Sequence, residues 1–284
     1  MNFAQVLNGL ALGALLMILS SGLALIYGLR GVMNFSHGAL YMLGAYLAYE
    51  ATSSGLSFWL ALILAPLGLA VVGAMLELGF FRNLQQRSHI ETGLVTFGIA
   101  LVLNRLIIIV WGDDTHPVSA PKAIDGTTSV FGTAYPTYRL LIIGAAAVMA
   151  VALVLWLRNS RVGLHIRAAS HDTETSGILG INVDRVSLIV VCLGAALAGL
   201  AGVLAAPYFS VSPGMGQSIL ITVLIVVVVG GIGSVGGAMI AALLLGLVQI
   251  MGNVWLPSVA VLVPYALLIA VLLWRPTGIA GKRV

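Results

Sequence analysis

Charged residues are scarce in this sequence. Of its 284 residues, 8% are Asp, Glu, Lys or Arg, whereas 60% are hydrophobic, and the mean hydropathy is +1.11. A soluble globular domain needs more charge on its water-facing surface, so that class is excluded. The apolar runs are continuous rather than short and alternating, which also excludes a transmembrane β-barrel. The composition therefore predicts an all-α fold, a polytopic bundle of transmembrane helices.

Groups that perform chemistry are equally sparse. Cys192 is the single cysteine, which excludes an internal disulfide, and no set of metal ligands stands at a useful spacing. Neither a nucleophile–base pair nor paired carboxylates are found at a catalytic spacing. The net charge of +4 reflects basic residues at membrane edges and does not indicate binding to nucleic acid. We therefore expect no catalytic residue, no metal site and no cofactor bound by this chain.

Long apolar runs fill most of the chain. A helix needs about 20 apolar residues to cross a bilayer, and this length predicts eight or nine spans. Segment 218–230 is short for a span, and it is interpreted as a tilted helix or as a re-entrant half-helix. The predicted segments are 3–27, 39–52, 58–80, 92–111, 138–157, 187–206, 218–230, 236–254 and 259–274.

One dense polar island interrupts these runs at residues 158–185. Residues 186–274, which follow it, contain no Asp, Glu, Lys, Arg or His over 89 residues. So many charges cannot remain in hydrocarbon, and we therefore predict a helix-forming loop in the cytoplasm. Gly180 can end the helix of this loop or permit a sharp turn. The island is the expected contact point for a cytoplasmic partner. Its ionisable residues are Arg158, Arg161, His165, Arg167, His171, Asp172, Glu174, Asp184 and Arg185.

The distribution of Lys and Arg predicts the orientation of the chain. Loop 112–137 contains only Lys122 as a basic residue together with three Asp, so we place this loop outside. Counting spans then places the N-terminus outside and the C-terminus in the cytoplasm. The basic residues that mark the cytoplasmic side are Arg82, Arg87, Arg158, Arg161, Arg167, Arg185, Arg275, Lys282 and Arg283.

Two breaks in the apolar blocks are candidates for a transport pathway. Polar groups at membrane depth need partners or a water-lined cavity, and paired interrupted helices indicate a pathway between repeats. His37 is either a proton relay or, as we favour, one of several groups that hold a broken helix by hydrogen bonds. The first break contains Asn34, Ser36, His37 and Gly38, and the second contains Gly230, Gly231, Gly233, Gly236 and Gly237.

The second break also contains a formal G-x-G-x-x-G pattern. A dinucleotide site needs a strand before this pattern and an acidic residue about 20 positions after it. Here the pattern lies between spans and no acidic residue follows it, so nucleotide binding is rejected. Two interpretations of this glycine-rich segment remain open. It is either a flexible turn between two spans or a place where helices approach closely around a pathway or gate.

Arg105 is the one basic residue deep inside a predicted span. By default we expect an ion pair with a carboxylate, and Glu77 is a candidate. The alternatives are an aqueous cavity or a contact with the carboxylate of a substrate.

Several motifs resemble one family of membrane proteins. The segment Glu174-Thr175-Ser176-x-x-x-Gly180 is similar to the Glu-Ala-Ala-x-x-x-Gly loop of ABC-importer permeases, with Thr and Ser in place of two Ala. Segments 32–38, 167–182, 230–237 and 275–279 resemble LivH-type permeases of branched-chain amino-acid ABC transporters, in the same order and spacing. The resemblance covers essentially the whole chain. It implies a single permease domain over residues 1–284, with a cytoplasmic coupling loop at 158–185 and a periplasmic loop at 112–137.

The resemblance also implies partners and roles. We expect a bacterial inner-membrane subunit that pairs with a second, LivM-type permease and contacts membrane lipid. Two cytoplasmic ATPases would bind ATP and Mg, and a periplasmic or lipid-anchored protein would deliver the substrate. The cargo would be a branched-chain or other neutral amino acid, urea, a short amide or an aromatic acid. The implied ATPase-coupling residues are Arg167, Asp172, Glu174, Gly177 and Gly180.

Two other transport mechanisms remain as alternatives. An ion-coupled secondary transporter should place acidic residues or His inside the membrane, and the uncharged block 186–274 argues against it. Sodium held by backbone carbonyls remains possible. A passive solute channel would not need the polar island.

Overall fold

The computed structural model describes residues 3–84 and 87–281, and this part of the chain is almost entirely helical. The predicted all-α fold is confirmed. Lys282 and Arg283, which entered the orientation argument, lie outside the described residues. The helices are α1 Phe3–Arg30, α2 His37–Ser53, α3 Phe58–Gly79, α4 His89–Trp111, α5 Thr137–Asn159, α6 Arg161–His171, α7 Thr173–Ile178, α8 Val183–Phe209, α9 Met215–Gly230, α10 Val235–Trp255 and α11 Val263–Trp274.

Short elements connect some of these helices. A 3₁₀ turn, Phe81–Leu84, precedes α4, and another, Pro257–Leu262, precedes α11. Between α4 and α5 lies an antiparallel hairpin of β1, Thr127–Val130, and β2, Thr133–Pro136. In the described residues, seven segments are long and apolar enough to span a membrane, the last being Pro257–Trp274. The helices α2, with 17 residues, and α9, with 16, account for the higher predicted count of eight or nine.

Polar side chains define where many helices begin. Each of these residues precedes a helix and accepts a hydrogen bond from a backbone N–H in its first turn, which satisfies an otherwise unpaired donor. Most of the predicted segments began one to four positions after the observed helices, because the prediction was based on apolar length and did not use these caps. The capping residues are Ser57, Ser88, Ser160, Asp172, Asn182 and Ser234.

The helices α1 and α8 form the centre of the bundle. Their side chains are largely buried, whereas α3, α4, α5 and α11 direct most side chains outward. Small residues explain the close packing, because Gly22 of α1 faces Gly194 of α8 with little space for a side chain between them. Without a hydrophobic driving force in lipid, close approach of backbones is a main source of helix association.

The two ends of the bundle differ in chemistry. One end, which we call the island end, contains the last turns of α1 and α3 together with α6 and α7. The other end, which we call the hairpin end, contains β1 and β2. Asn8 near the start of α1 accepts hydrogen bonds there from Tyr135 and Arg139. Successive long helices run between these two ends.

The first four helices, α1 to α4, and the last four, α8 to α11, repeat the same arrangement in opposite orientation. In each half, a long helix (α1 or α8) is followed by a break, a short helix (α2 or α9), a returning helix (α3 or α10), a 3₁₀ turn and a last helix (α4 or α11). The helix α1 packs antiparallel to α10, and α8 packs antiparallel to α3 in the same manner. The bundle is therefore built from two inverted halves.

The two short helices begin inside the bundle and cross there. His37 at the start of α2 lies beside the middle of α1, where its Nε2 is 3.0 Å from the carbonyl oxygen of Leu19. Gly38 packs so closely on Gly216 of α9 that a Cβ at Gly38 would lie 2.2 Å from the Gly216 carbonyl oxygen. From this crossing, α2 runs to the hairpin end and α9 to the island end. The counterpart of the first break is therefore segment 210–214, not the predicted Gly230–Gly237.

Candidate functional site

The polar island folds into two short helices joined at Asp172. Asp172 is extended and caps α7, since its carboxylate accepts hydrogen bonds from the backbone N–H of Thr175, at 3.0 Å, and from the Thr175 hydroxyl. These bonds hold the pKa of the Asp172 carboxyl below its usual value. Gly180, at φ +87°, ends the turn after α7 in the left-handed region. The predicted helix and the predicted turn at Gly180 are both confirmed.

The far side of α7 is exposed. Ser176 faces the bundle and is buried, while Glu174 and Gly177 are exposed. The next two side chains, Ile178 and Leu179, are 81% and 76% exposed. Two large apolar side chains at the tip of a capped helix, within a charged loop, form a surface that water solvates poorly. We call the surface of Glu174, Gly177, Ile178 and Leu179 the α7 tip.

A buried ion pair joins three long helices directly behind the α7 tip. The Arg30 guanidinium, at the end of α1, pairs with the Glu77 carboxylate of α3. The same guanidinium donates to the Ser187 hydroxyl of α8 at 2.8 Å and to the Phe81 carbonyl oxygen at 2.8 Å. Glu77 is 1% exposed, so this network holds the island ends of α1, α3 and α8 in fixed relation.

Two further contacts connect the island to the bundle. Arg82, after α3, forms an exposed ion pair with Asp184 in the first turn of α8. Arg167 of α6 donates to the Leu157 carbonyl oxygen near the end of α5. A cavity of about 380 Å³ lies between these elements, and Arg87, His89 and Thr173 contribute to its walls. These contacts join the end of α5 to α6 and the segment after α3 to the start of α8.

The expected ion pair between Arg105 and Glu77 is not formed. Glu77 lies at the island end and is paired with Arg30. Arg105 is exposed on the outer face of α4, and it makes no hydrogen bond or ion pair with any described residue. The order of the predicted spans along the chain does not indicate which faces of their helices pack against each other. A contact of Arg105 with substrate stays a prediction.

The first break is held by local hydrogen bonds, as we favoured. The Asn34 side-chain oxygen accepts bonds from the Ser36 N–H, at 3.0 Å, and from the Ser36 hydroxyl, at 2.6 Å. His37 contacts the Leu19 carbonyl, and all three polar side chains are buried. With Gly38 at the crossing, these residues occupy the middle of the bundle, where irregular backbone is tolerated only when protein covers it.

The glycine-rich segment Gly230–Gly237 is the turn between α9 and α10 at the island end. Gly231 has φ +101°, which a side chain would strain. The C-terminal segment pairs with this turn, because Ile279 and Ala280 donate to the carbonyl oxygens of Val229, at 2.8 Å, and Gly230, at 3.0 Å. Two of the recognised motifs, 230–237 and 275–279, are thus packed together. The other predicted glycines of this segment are Gly233, Gly236 and Gly237. Gly233 contacts Gly28 of α1. A pathway or gating role for them stays a prediction.

Sequence reasoning missed several of these residues. The contact between Arg30 and Ser187 could have been suggested from the sequence, because both residues lie at the ends of apolar runs on the same side of the membrane. The break at 210–214 also had one, the pair Pro213-Gly214 after an apolar run, which favours a turn. Arg139 lies at the hairpin end and was not counted in the orientation argument.

Comparison with known proteins agrees with this architecture. A family model described as "Branched-chain amino acid transport system / permease component" matches residues 5–272. The chain is 30% identical to the high-affinity branched-chain amino acid transport system permease protein LivH of Escherichia coli (strain K12), over 98% of this chain and 95% of that protein. It is equally similar, at 30% and with the same coverage, to the permease protein BraD of Pseudomonas aeruginosa.

A solved structure shares the fold. PsaBC from Streptococcus pneumoniae in complex with Fab aligns with a TM-score of 0.52, covering 95% of this chain and 92% of that chain. The sequence identity is 14%, so the likeness concerns the fold alone.

Proposed function

The chain belongs to the family of permease components of branched-chain amino acid transport systems, and from this premise we propose how it works. It is a multi-pass membrane transport subunit, not an enzyme. We propose that it is the permease of a binding-protein-dependent ABC importer. In this role it moves a branched-chain or related neutral amino acid inward by ATP-driven alternating access.

The α7 tip carries this proposal. Ile178 and Leu179 are exposed in a charged loop, where no other described residue covers them. Burying such a patch in a groove of another protein removes apolar surface from water, and Glu174 adds a charged contact. An ATPase subunit that binds here would act on α7 directly. The implied partners are two such ATPases, which bind ATP and Mg, and a second permease of the LivM type.

Basic residues support an orientation with the island end in the cytoplasm. The described basic residues at that end, Arg30, Arg82, Arg87, Arg158, Arg161, Arg167, Arg185 and Arg275, outnumber those at the hairpin end, Lys122 and Arg139. The C-terminus then lies in the cytoplasm and the N-terminus outside. The hairpin end would face a periplasmic or lipid-anchored binding protein, and the membrane would be the bacterial inner membrane.

The coupling route follows from the contacts at the island end. ATP binding closes the two ATPases, and their movement displaces α7 and the start of α8. Because Arg30 joins α8 to α1 and α3, these central helices move as one body. The crossing of α2 and α9 lies in the middle of the bundle, where the two inverted halves meet, so movement of these short helices relative to the joined α1, α3 and α8 would open the path to alternate sides.

The experiment that tests the proposal is purification of the tagged chain in mild detergent from its native host. Mass spectrometry should recover a second permease and two ATPases, and the complex in liposomes should take up L-leucine only with ATP and a binding protein. A chain that purifies alone and moves solute under an ion gradient without ATP would contradict the proposal. That result would favour a secondary transporter.

A further inference from the structure

A groove opens at the hairpin end and reaches the middle of the bundle. Its volume is about 430 Å³, within the range of small-molecule sites. Phe209, at the end of α8, and Asn253, near the end of α10, form its mouth, and Thr222 of α9 and Tyr41 of α2 lie at its inner part. Tyr41 is the fifth residue of α2, one turn after the crossing with α9. The groove therefore connects the outer end of the bundle with the point where the inverted halves meet.

The lining of the groove combines two kinds of surface. Its polar side chains are hydroxyls and carboxamides, and no Asp, Glu, Lys or Arg contributes to it within the described residues. Its apolar wall is formed by Leu12, Leu16, Ile219 and Ile250. Such a surface binds a solute with a polar part and an apolar part but without net charge, because no fixed charge could neutralise a net ion. The polar side chains include Tyr41, Ser212, Ser218, Thr222, Gln249 and Asn253.

Tyr41 has a hydroxyl that lacks a partner. The residue is 2% exposed, and the small exposed part faces the groove that it lines. Its hydroxyl makes no hydrogen bond with any described residue. The Tyr41 oxygen is not among the fully buried unpartnered atoms of the described residues, so the hydroxyl is accessible from the groove. A solute bound in the groove would supply its hydrogen-bond partner, as the Leu204 carbonyl oxygen does for Tyr138 at 2.8 Å.

We propose that this groove is the cargo subsite of the permease, in which Tyr41 and the neighbouring hydroxyls and carboxamides bind the polar end of a neutral, zwitterionic amino acid. The apolar wall of Leu12, Leu16, Ile219 and Ile250 contacts its aliphatic side chain. The amino acid carries no net charge, so it needs only neutral hydrogen-bonding groups. This inference rests on the proposed importer function. According to it, the groove prefers an amphipathic amino acid over urea or a small amide.

The test uses the whole transporter complex in liposomes, with L-leucine as the probe. Tyr41→Phe removes only the hydroxyl. At saturating binding protein it should lower ATP-dependent leucine uptake about three- to tenfold, the effect of one lost hydrogen bond. Binding of L-leucine to the detergent-solubilised complex without binding protein should weaken by a similar factor.

Tyr46→Phe is the matched control. Tyr46 lies on the same helix, is also buried and has an unpartnered hydroxyl, but it does not line the groove. Uptake and leucine binding by this variant should equal those of the wild type. Thr222→Val, at the inner part of the groove, should behave like Tyr41→Phe.

The outcomes separate this inference from the proposed function. If the wild-type complex takes up no solute in an ATP-dependent manner, the importer function itself fails. If the wild type transports leucine and Tyr41→Phe matches both wild type and Tyr46→Phe, the groove is not the cargo subsite. If excess urea displaces L-leucine as well as excess L-isoleucine does, the amino-acid preference of the groove is wrong.

Discussion

Arg30 and Glu77 form a buried ion pair across 47 residues of sequence, between the last turn of α1 and the end of α3. The pair also includes Ser187 of α8, so one guanidinium joins three helices that surround the centre of the bundle. The network thus joins α1 and α3 to α8, the helix that follows the proposed docking helix α7. Its loss should therefore affect both stability and coupling.

Replacing Arg30 should destabilise the protein strongly. Arg30→Met leaves Glu77 buried and unpaired, which typically costs about 3–5 kcal/mol. Thermal unfolding of the complex in detergent should show a large decrease in Tm. The control is Arg82→Met, which removes the exposed pair with Asp184, where about 0–1 kcal/mol is expected. Equal effects of the two substitutions would contradict the structural importance of the buried network.

The exposed tip of α7 should bind the ATPase subunits. The double substitution Ile178→Ser and Leu179→Ser should remove most co-purification of ATPases, because the apolar surface that favours association is lost. Folding should be unaffected, since both side chains face solvent. Ile90→Ser is the control, as Ile90 is as exposed as Leu179, at 76%, but lies outside the island. Full recovery of ATPases with the double variant would show that α7 is not part of the docking surface.

Asp172 should give α7 a pH-dependent cap. Its hydrogen bonds with Thr175 lower the pKa of the carboxyl in the folded state, so the cap contributes fully above the unfolded pKa and is lost as the pH falls through the folded value. Amide exchange over residues 173–178 should therefore accelerate at acidic pH beyond the intrinsic effect. Asp172→Asn keeps a capping oxygen without the titration and is the control. An identical pH response of both proteins would show that Asp172 does not control this helix.

The crossing of α2 and α9 should tolerate no added side chain. Gly216→Ala would place a Cβ 2.6 Å from the Gly38 carbonyl oxygen. Overpacking of this kind costs about 1–3 kcal/mol, so we expect a lower Tm and slower transport. Gly98→Ala is the matched change on α4, where nothing lies within 4 Å of the new Cβ, and it should be neutral or slightly stabilising. A neutral Gly216→Ala would argue against the tight crossing.

Some errors of the sequence interpretation share a physical origin. Glu77, the candidate partner of Arg105, pairs with Arg30 instead. The first break was paired with Gly230–Gly237, although its counterpart is segment 210–214. Apolar spans are nearly uniform in composition, so hydrophobic periodicity does not reveal which face of a helix meets which neighbour.

What the sequence by itself determined are the properties that depend on local composition. Apolar length and scarce charge specify transmembrane helices, and clustered charge specifies the island. Only the tertiary structure decided which distant groups meet: Arg30 with Glu77 and Ser187, Gly38 with Gly216, and the groove that Tyr41 lines. The reason is that a membrane solvates every apolar face equally, so partner choice depends on close backbone approach and on buried polar contacts, which exist only once the helices are packed.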